Sequence, residues 1–536
     1  MATRAFWNNP IVVSAFRVKY RKSAPTLTAT LWLLALAGLG VVMHHNLAGT
    51  TGVVPWYRLY FAVVIGVQAA LAGVLALSST HASITSEVGN RTLDFQRIAS
   101  LSPFSILVGK LFGEPAIAYL LVIASIPISL ACVALGAAPA DALPFIYVNL
   151  FTTTLLAGAL GLQHSLELTP GKASGGAGGS MGWIIFMIFG APYLFIGAAA
   201  GAGSGTATSA LISMVVPFEL VRGIYYGRLW EAHADFLHWS APQLLVTPVT
   251  QLLIAALLFF IMARKMRNPI DTPLPKAGGY ALAAALGVVF SGVLLGNPFV
   301  QTTFRWEEPL LNFCLFFAVF QVMAIYYVTP SREAVQSWIW GLKGNQRGFR
   351  DWLLGERAPN LLATLIVTGL GTAFAVGLIG GYAWWRSSAS PFAGQEWLAE
   401  PIAASALLVA TISVWLQVFS LSLPRLTAVI LLGVIGAVLT VTPLLVGDAY
   451  EMPNLASISA GTMWRGWLGK GVPARGWAVI GDPKIFFGFY GLLLTAGVAL
   501  TLRYLAGTRR IIEAKLEAMR AAPEPLKPST DSTPAA

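Results

Sequence analysis

Long apolar runs recur along the chain, each parted from the next by a polar stretch. A bilayer-spanning helix needs about 20 predominantly apolar residues. Twelve windows meet that length: 25–43, 58–80, 114–137, 145–165, 181–202, 243–263, 279–297, 307–328, 361–385, 401–421, 426–446 and 485–506. The pattern predicts an all-α polytopic integral membrane protein with about 12 transmembrane helices. The fifth run is the least sharply bounded, because 203–218 is also fairly apolar.

The runs fall into two sets of six. Corresponding members start at 25 and 279, 58 and 307, 114 and 361, 145 and 401, 181 and 426, and 243 and 485, a nearly constant separation. Such a repeat points to a tandem six-plus-six architecture whose halves are related by an axis along the membrane normal. It rests on hydropathy, since residue identity between the halves is weak. The division is 1–270 for the first half, 271–506 for a second, diverged half and 507–536 for a tail.

The polar stretches refine this map. Residues 1–23 mix Ile11, Val12, Phe16 and Val18 with bases at helical spacing, which suits an interfacial amphipathic helix or a basic flank of the first span. About 24 mostly polar residues before the first run, with no small-residue cleavage pattern after it, argue against a cleaved signal peptide. Segment 203–242 is too polar for a span but rich in aromatics. It fits a re-entrant or interfacial helix pair with Tyr225, Tyr226 and Trp230 at headgroup depth. Segment 447–484 reads as irregular external structure. The tail begins as a short charged helix and ends in Pro, Ser and Thr, a disordered composition.

Composition agrees with this placement. The chain is 56% hydrophobic and 11% charged, against about 25% charged for a soluble domain. Its net charge of +11 reads as basic loops rather than a nucleic-acid surface. With the N-terminus inside, segments 1–24, 81–113, 166–180, 264–278, 329–360, 422–425 and 503–536 carry most of the 34 Lys and Arg residues. Positive charge marks the cytoplasmic side. Both termini are therefore expected in the cytoplasm, with the chain in an inner (plasma) membrane.

Little points to covalent chemistry. The 2 Cys, Cys132 and Cys314, sit inside apolar runs and exclude a thiolate metal cluster. The 6 His show no zinc-protease spacing. Neither Lys110 nor Lys172 has the upstream Gly and following hydroxyl of a phosphate loop, so the chain is not its own ATPase. Glu114, Glu307 and Glu308 lie at span ends, and few ionisable residues fall deeper. A charge at mid-bilayer costs about 2.5–3.5 kcal/mol and usually marks an ion relay, so the scarcity weighs against an ion-coupled carrier. Gln68, Asn312, Gln321 and Gln417 fall within spans. Each reads as an interhelical hydrogen bonder or as part of a substrate path.

The stretch 81–113 is the richest in signals. Ile84, Val88 and Leu93 can share one side of a short helix, with Glu87, Arg91 and Asp94 on another. Gly89-Asn90 permits a turn, Ser102-Pro103 can start the next helix and Lys110 can snorkel to the interface. Glu87-x-Gly89-x-x-Thr92-Leu93-Asp94, then Ser100-Leu101-Ser102-Pro103, then Ile106-x-x-Gly109-Lys110-Leu111, resembles the loop after the second span in permeases of the type-2 ATP-binding-cassette exporter family. The match covers about thirty residues, and Arg91 departs from it, standing before Thr92 where the family usually has Gly.

The resemblance implies a membrane subunit whose loop forms a coupling helix seated on a cytoplasmic ATP-binding-cassette ATPase. ATP and magnesium would be bound in that partner, with no cofactor, metal or nucleic acid on this chain. The implied coupling residues are Glu87, Gly89, Thr92, Leu93, Asp94, Pro103, Gly109 and Lys110. A substrate path beside the second and fifth spans favours Gln68 and Gln321, with Gln417 a further candidate. Loop 329–360 keeps the length and basicity of 81–113 without its motifs. It is either a diverged coupling loop or a sign that a second permease chain pairs with this one. The expected function is export of a hydrophobic or amphiphilic substrate. An ion-coupled secondary transporter and an intramembrane lipid-modifying enzyme are the rivals, and an interfacial loop without a partner is the alternative for 81–113.

Overall fold

A computed structural model describes residues 9–20, 24–48, 54–93, 102–166, 217–237, 239–268, 270–296, 307–341, 349–385, 399–423, 431, 434–435 and 482–521. Nine helices among them are long and apolar enough to cross a membrane. The chain is thus a predominantly helical, membrane-embedded protein. The run at 181–202, and that at 426–446 apart from 431, 434 and 435, lie outside the described residues.

The first half opens with α1 (Pro10–Lys19), which begins where Asn9 Oδ1 accepts from the Ile11 N–H at 3.0 Å and Pro10 takes a first-turn position. Next come α2 (Ala24–Leu47) and α3 (Trp56–Gly89). The 34 residues of α3 span about 51 Å at 1.5 Å per residue, well beyond a hydrocarbon core of about 30 Å. Hydropathy placed the end of this span at 80. The helix continues because His81, Thr85 and Val88 are buried, and residues 81–88 contain no glycine or proline.

After α4 (Pro103–Gly113), the third run, 114–137, is two short helices, α5 (Ala116–Ala124) and α6 (Ile126–Ala134). Pro127 has no N–H to continue the ladder, and the chain breaks at Ser125. Its Oγ donates to Leu121 O at 2.7 Å and accepts from Trp32 Nε1 at 2.8 Å, so the break is satisfied internally. Then α7 (Leu143–Leu166) packs along α3, and α9 (Gln243–Arg267) packs along α7. Asn149, Thr152 and Gln251 bridge α7 and α9, with Asn149 Nδ2 donating to Leu244 O at 2.9 Å.

Before α9 stand α8 (Phe218–Tyr226) and a hairpin of β1 (His233–Phe236) and β2 (Trp239–Pro242), paired antiparallel from His233–Pro242 to Phe236–Trp239. Within 203–242, where a helix pair was expected, the described residues form one helix and a hairpin, and 203–216 lie outside the described residues. Proline at 242 and the alternating small residues around it leave too little helical period there. Tyr226 is exposed, while Tyr225 and Trp230 pack onto the first-half core.

The second half contains α10 (Lys276–Gly296), α11 (Glu307–Val328), α12 (Arg332–Gly341), α13 (Phe349–Leu354), α14 (Leu361–Trp385), α15 (Ala399–Ser422) and α16 (Pro483–Ala521). The charged tail helix expected after 506 is not separate. Helix α16 runs unbroken for 39 residues, since its basic stretch contains strong helix formers and no proline until Pro523.

The halves meet at both ends of the bundle. Leu274, Tyr327, Val328 and Ala363 join α3, α4, α7 and α9 in one apolar cluster. There Arg264 pairs with Glu356, and Arg357 with Asp271 at 3.1 Å. At the other end the Leu237 N–H donates to Gly292 O at 2.8 Å, and the Phe236 ring lies where a Gly292 Cβ would stand.

Candidate coupling site

Residues four apart lie on one helical face. Helix α3 presents Ser83 and Glu87 in this way, and the end of α4 presents Lys110 and Glu114 opposite them. Lys110 Nζ lies 2.7 Å from Glu87 Oε1 and donates to Ser83 Oγ at 2.9 Å. Ser83 Oγ donates in turn to Glu114 Oε1 at 2.9 Å. The Lys110 side chain is 2% exposed and that of Glu87 21%. Lys110 therefore does not snorkel to the interface. It is held inside as the counter-ion of Glu87, because the cost of desolvating an ammonium must be offset by a charge partner or by hydrogen-bond acceptors. The pair clamps the end of α3 to α4.

Apolar residues complete the clamp. Ile84, Val88 and Leu93 share one face, and all three pack with Ile106, Leu107 and Leu111. Leu93 thus belongs to the core, not to a docking surface. Pro103 occupies the first turn of α4, with Ser102 as its cap accepting from the Ser105 N–H at 3.1 Å. Gly109 has a packing task. A Cβ there would stand 2.7 Å from Ile11, and one at Gly113 equally close to Ala15. The two glycines open a groove in which α1 lies, and Asn9 Nδ2 anchors it by donating to Ser105 O at 2.7 Å.

What remains on the surface at the tip is Ser86, Gly89, Asn90, Arg91 and Thr92. Thr92 Oγ1 donates to Glu87 O at 3.3 Å. Asp94 lies outside the described residues. Arg91 stands just past the helix end with φ of 57°, a left-handed conformation that, where a helix ends this way, is usually supplied by glycine. Arg91→Gly should raise stability by up to about 1 kcal/mol, whereas Arg91→Val should lower it by about 1–2 kcal/mol. Thermal unfolding of the purified variants checks the sign of each.

Hydropathy missed a second feature. His81 and His164 stack with centroids 5.1 Å apart, both buried between α3 and α7. Among the described residues His81 Nε2 has no hydrogen-bond partner. One sits a residue past the predicted end of its span, the other near the end of its own, so neither counted as intramembrane. The i,i+4 spacing of Ser83/Glu87 and Lys110/Glu114 was equally available, and becomes visible once the helix is read through His81.

The glutamines do different things. Gln68 is buried, and neither of its amide atoms completes a hydrogen bond among the described residues, although it lies beside the Tyr147 hydroxyl. Gln321 Nε2 reaches Val367 O at 3.4 Å and fills the space that a Cβ of Gly371 would need. Gln417 is fully engaged near the start of α14: its Oε1 accepts from the Asn360 N–H at 3.2 Å, and its Nε2 donates to Ser420 Oγ at 3.2 Å.

The described parts of loop 329–360, residues 329–341 and 349–360, fold against the bundle. Ala334, Val335, Trp338 and Ile339 form the buried face of α12. Lys276, fully buried, donates to Trp352 O at 2.9 Å and Pro359 O at 3.1 Å. Among the described residues no group of three or more His, Cys, Asp or Glu could hold a metal ion. No protein-family model matches the chain, and no curated protein or solved structure matches it.

Proposed function

We propose that the chain is the membrane-spanning permease subunit of an ATP-driven exporter. It would cross an inner (plasma) membrane twelve times in two six-helix halves, with both termini cytoplasmic. The observation that carries this reading is the end of α3. It overruns the membrane, is pinned to α4 by Glu87–Lys110, and presents a short polar tip at Ser86–Thr92. A pinned tip transmits displacement, since the ion pair and its apolar backing leave α3 and α4 no separate path. A cytoplasmic ATP-binding-cassette ATPase would bind ATP and magnesium and push on that tip. This chain would perform no hydrolysis itself. The ion pairs between 264–272 and 356–357 would carry the displacement to the second half, rocking one half against the other. The cargo would be hydrophobic or amphiphilic, and Gln68 and Gln321 remain the candidates for its path.

The test is to purify the tagged chain from its own membranes in mild detergent. A soluble subunit with a phosphate-loop motif should accompany it, and Arg91→Glu with Thr92→Arg should release that subunit while leaving the chain folded. A chain that purifies alone under conditions preserving other membrane complexes overturns the proposal. A second reading, a proton-coupled carrier, draws on the buried His81–His164 stack. It requires transport that collapses with an ionophore while ATP remains.

A further inference from the structure

A cleft of about 650 Å³ opens between α12, α15 and α16, far along the chain from the coupling site. Its volume lies within the range of small-molecule sites, about 300–1,000 Å³. Three cations line it: Arg332 from the first turn of α12, and Arg503 and Lys515 from α16. Among the described residues no carboxylate lines it, and none of the three cations makes an ion pair or side-chain hydrogen bond. The nearest turn of α16 shows the contrast, since Arg509 there is satisfied by Glu513 at 3.0 Å.

The rest of the lining is of two kinds. Val418, Leu421, Leu500 and Ile511 give an apolar wall, and Ser422, Gln336 and Thr508 add neutral hydrogen-bonding groups beside the cations. Along α16, Leu492, Leu500, Leu502 and Ile511 are between 44% and 72% exposed. On a membrane-spanning helix such side chains face hydrocarbon. The cleft therefore combines unneutralised positive charge with a wall continuous with an acyl-chain surface. Basic pockets between helices at the membrane edge suit anionic lipid headgroups.

We propose that this cleft is a binding site for one anionic glycerophospholipid. Its phosphate lies among Arg332, Arg503 and Lys515, and its acyl chains run along Leu500 and Val418. A soluble phosphate would leave the apolar wall uncovered, and a zwitterionic lipid would leave the cations partly unneutralised. Because α12 belongs to the loop 329–360 and α16 carries the C-terminal charges, the lipid would bind these two elements to each other.

The experiment uses the full chain, delipidated in a neutral detergent and titrated with phosphatidylglycerol, phosphatidylcholine or glycerol phosphate while its thermal unfolding is followed. Phosphatidylglycerol should raise the melting temperature by several degrees at concentrations where phosphatidylcholine does much less and glycerol phosphate does nothing. Arg332→Gln, Arg503→Gln and Lys515→Gln should each weaken the phosphatidylglycerol response about fivefold, as loss of one lipid-facing cation predicts. Arg509→Gln and Arg510→Gln, outside the cleft, should leave it unchanged. Equal protection by the two lipids, protection by glycerol phosphate alone, or a response undiminished in the Arg503→Gln variant would each overturn the proposal. Should a glutamine variant fold poorly, the response of wild type to phosphatidylglycerol against phosphatidylcholine decides the matter alone.

Discussion

Glu87→Gln should destabilise the purified chain by about 3 kcal/mol, at the lower end of the range for breaking a buried ion pair. Lys110→Met should cost less. The asymmetry comes from burial. Removing the carboxylate strands an ammonium that is 2% exposed, with Ser83 as the remaining contact. Removing the ammonium strands a carboxylate that is 21% exposed and can recruit water. The double variant, Glu87→Gln with Lys110→Met, should return to within about 1 kcal/mol of wild type, because it leaves neither charge behind. Denaturant unfolding of the four proteins in one mild detergent gives the coupling energy directly. Additive single effects would show that the pair is a surface contact and that α3 and α4 are not clamped by it.

This bears on how coupling can be tested. Glu87→Lys, a charge reversal at one of the implied coupling residues, would oppose two ammonium groups in one buried site. It should fail by unfolding, and so cannot separate docking from stability. Variants at Arg91 and Thr92 can, since both are exposed at the tip.

The helices were legible because span length is a property of composition. The runs at 25, 145, 243, 361 and 401 each correspond to a helix that crosses the predicted window. Where hydropathy failed, a polar face was turned inward. His81, Ser83, Thr85 and Glu87 lower the mean hydropathy after residue 80, so α3 was ended early, yet His81 stacks on α7, Ser83 and Glu87 engage α4, and Thr85 is buried. The same error hid the Glu87–Lys110 pairing within that stretch, since 81–89 was read as a loop element when it is the last turns of a long helix. Gly109 shows the reverse case. The motif singled it out, and the packing it serves, close approach of α1, is visible only in three dimensions. The hairpin at 233–242 was out of reach because its four-residue strands alternate too briefly to register as a period.

Gly161→Ala should separate α3 from α7, the most extensive helix pair of the first half. Little hydrophobic gain drives helices together in lipid, so close packing and small residues must do it. Gly161 is where the two backbones come nearest: a Cβ there would stand 2.4 Å from the carbonyl oxygen of Leu77 and a similar distance from Thr80 Oγ1. The first obstacle is backbone and cannot rotate away. The second is engaged, since Thr80 Oγ1 donates to Ala76 O at 2.8 Å and across the interface to Gly158 O at 3.0 Å. The added methyl must therefore push the helices apart, breaking the Thr80–Gly158 bond and loosening the His81–His164 stack one turn further on. A cost of about 2–3 kcal/mol is expected, the upper part of the range for overpacking. Gly158→Ala supplies the control. Its Cβ would meet Leu111 Cδ1 at 3.2 Å and Thr80 Cγ2 at 3.6 Å, side-chain atoms that can yield, so it should cost under about 1 kcal/mol. Thermal unfolding in detergent, with the two variants compared at equal protein concentration, distinguishes them. Equal melting temperatures would mean that α3 and α7 do not approach as closely as the glycine spacing requires.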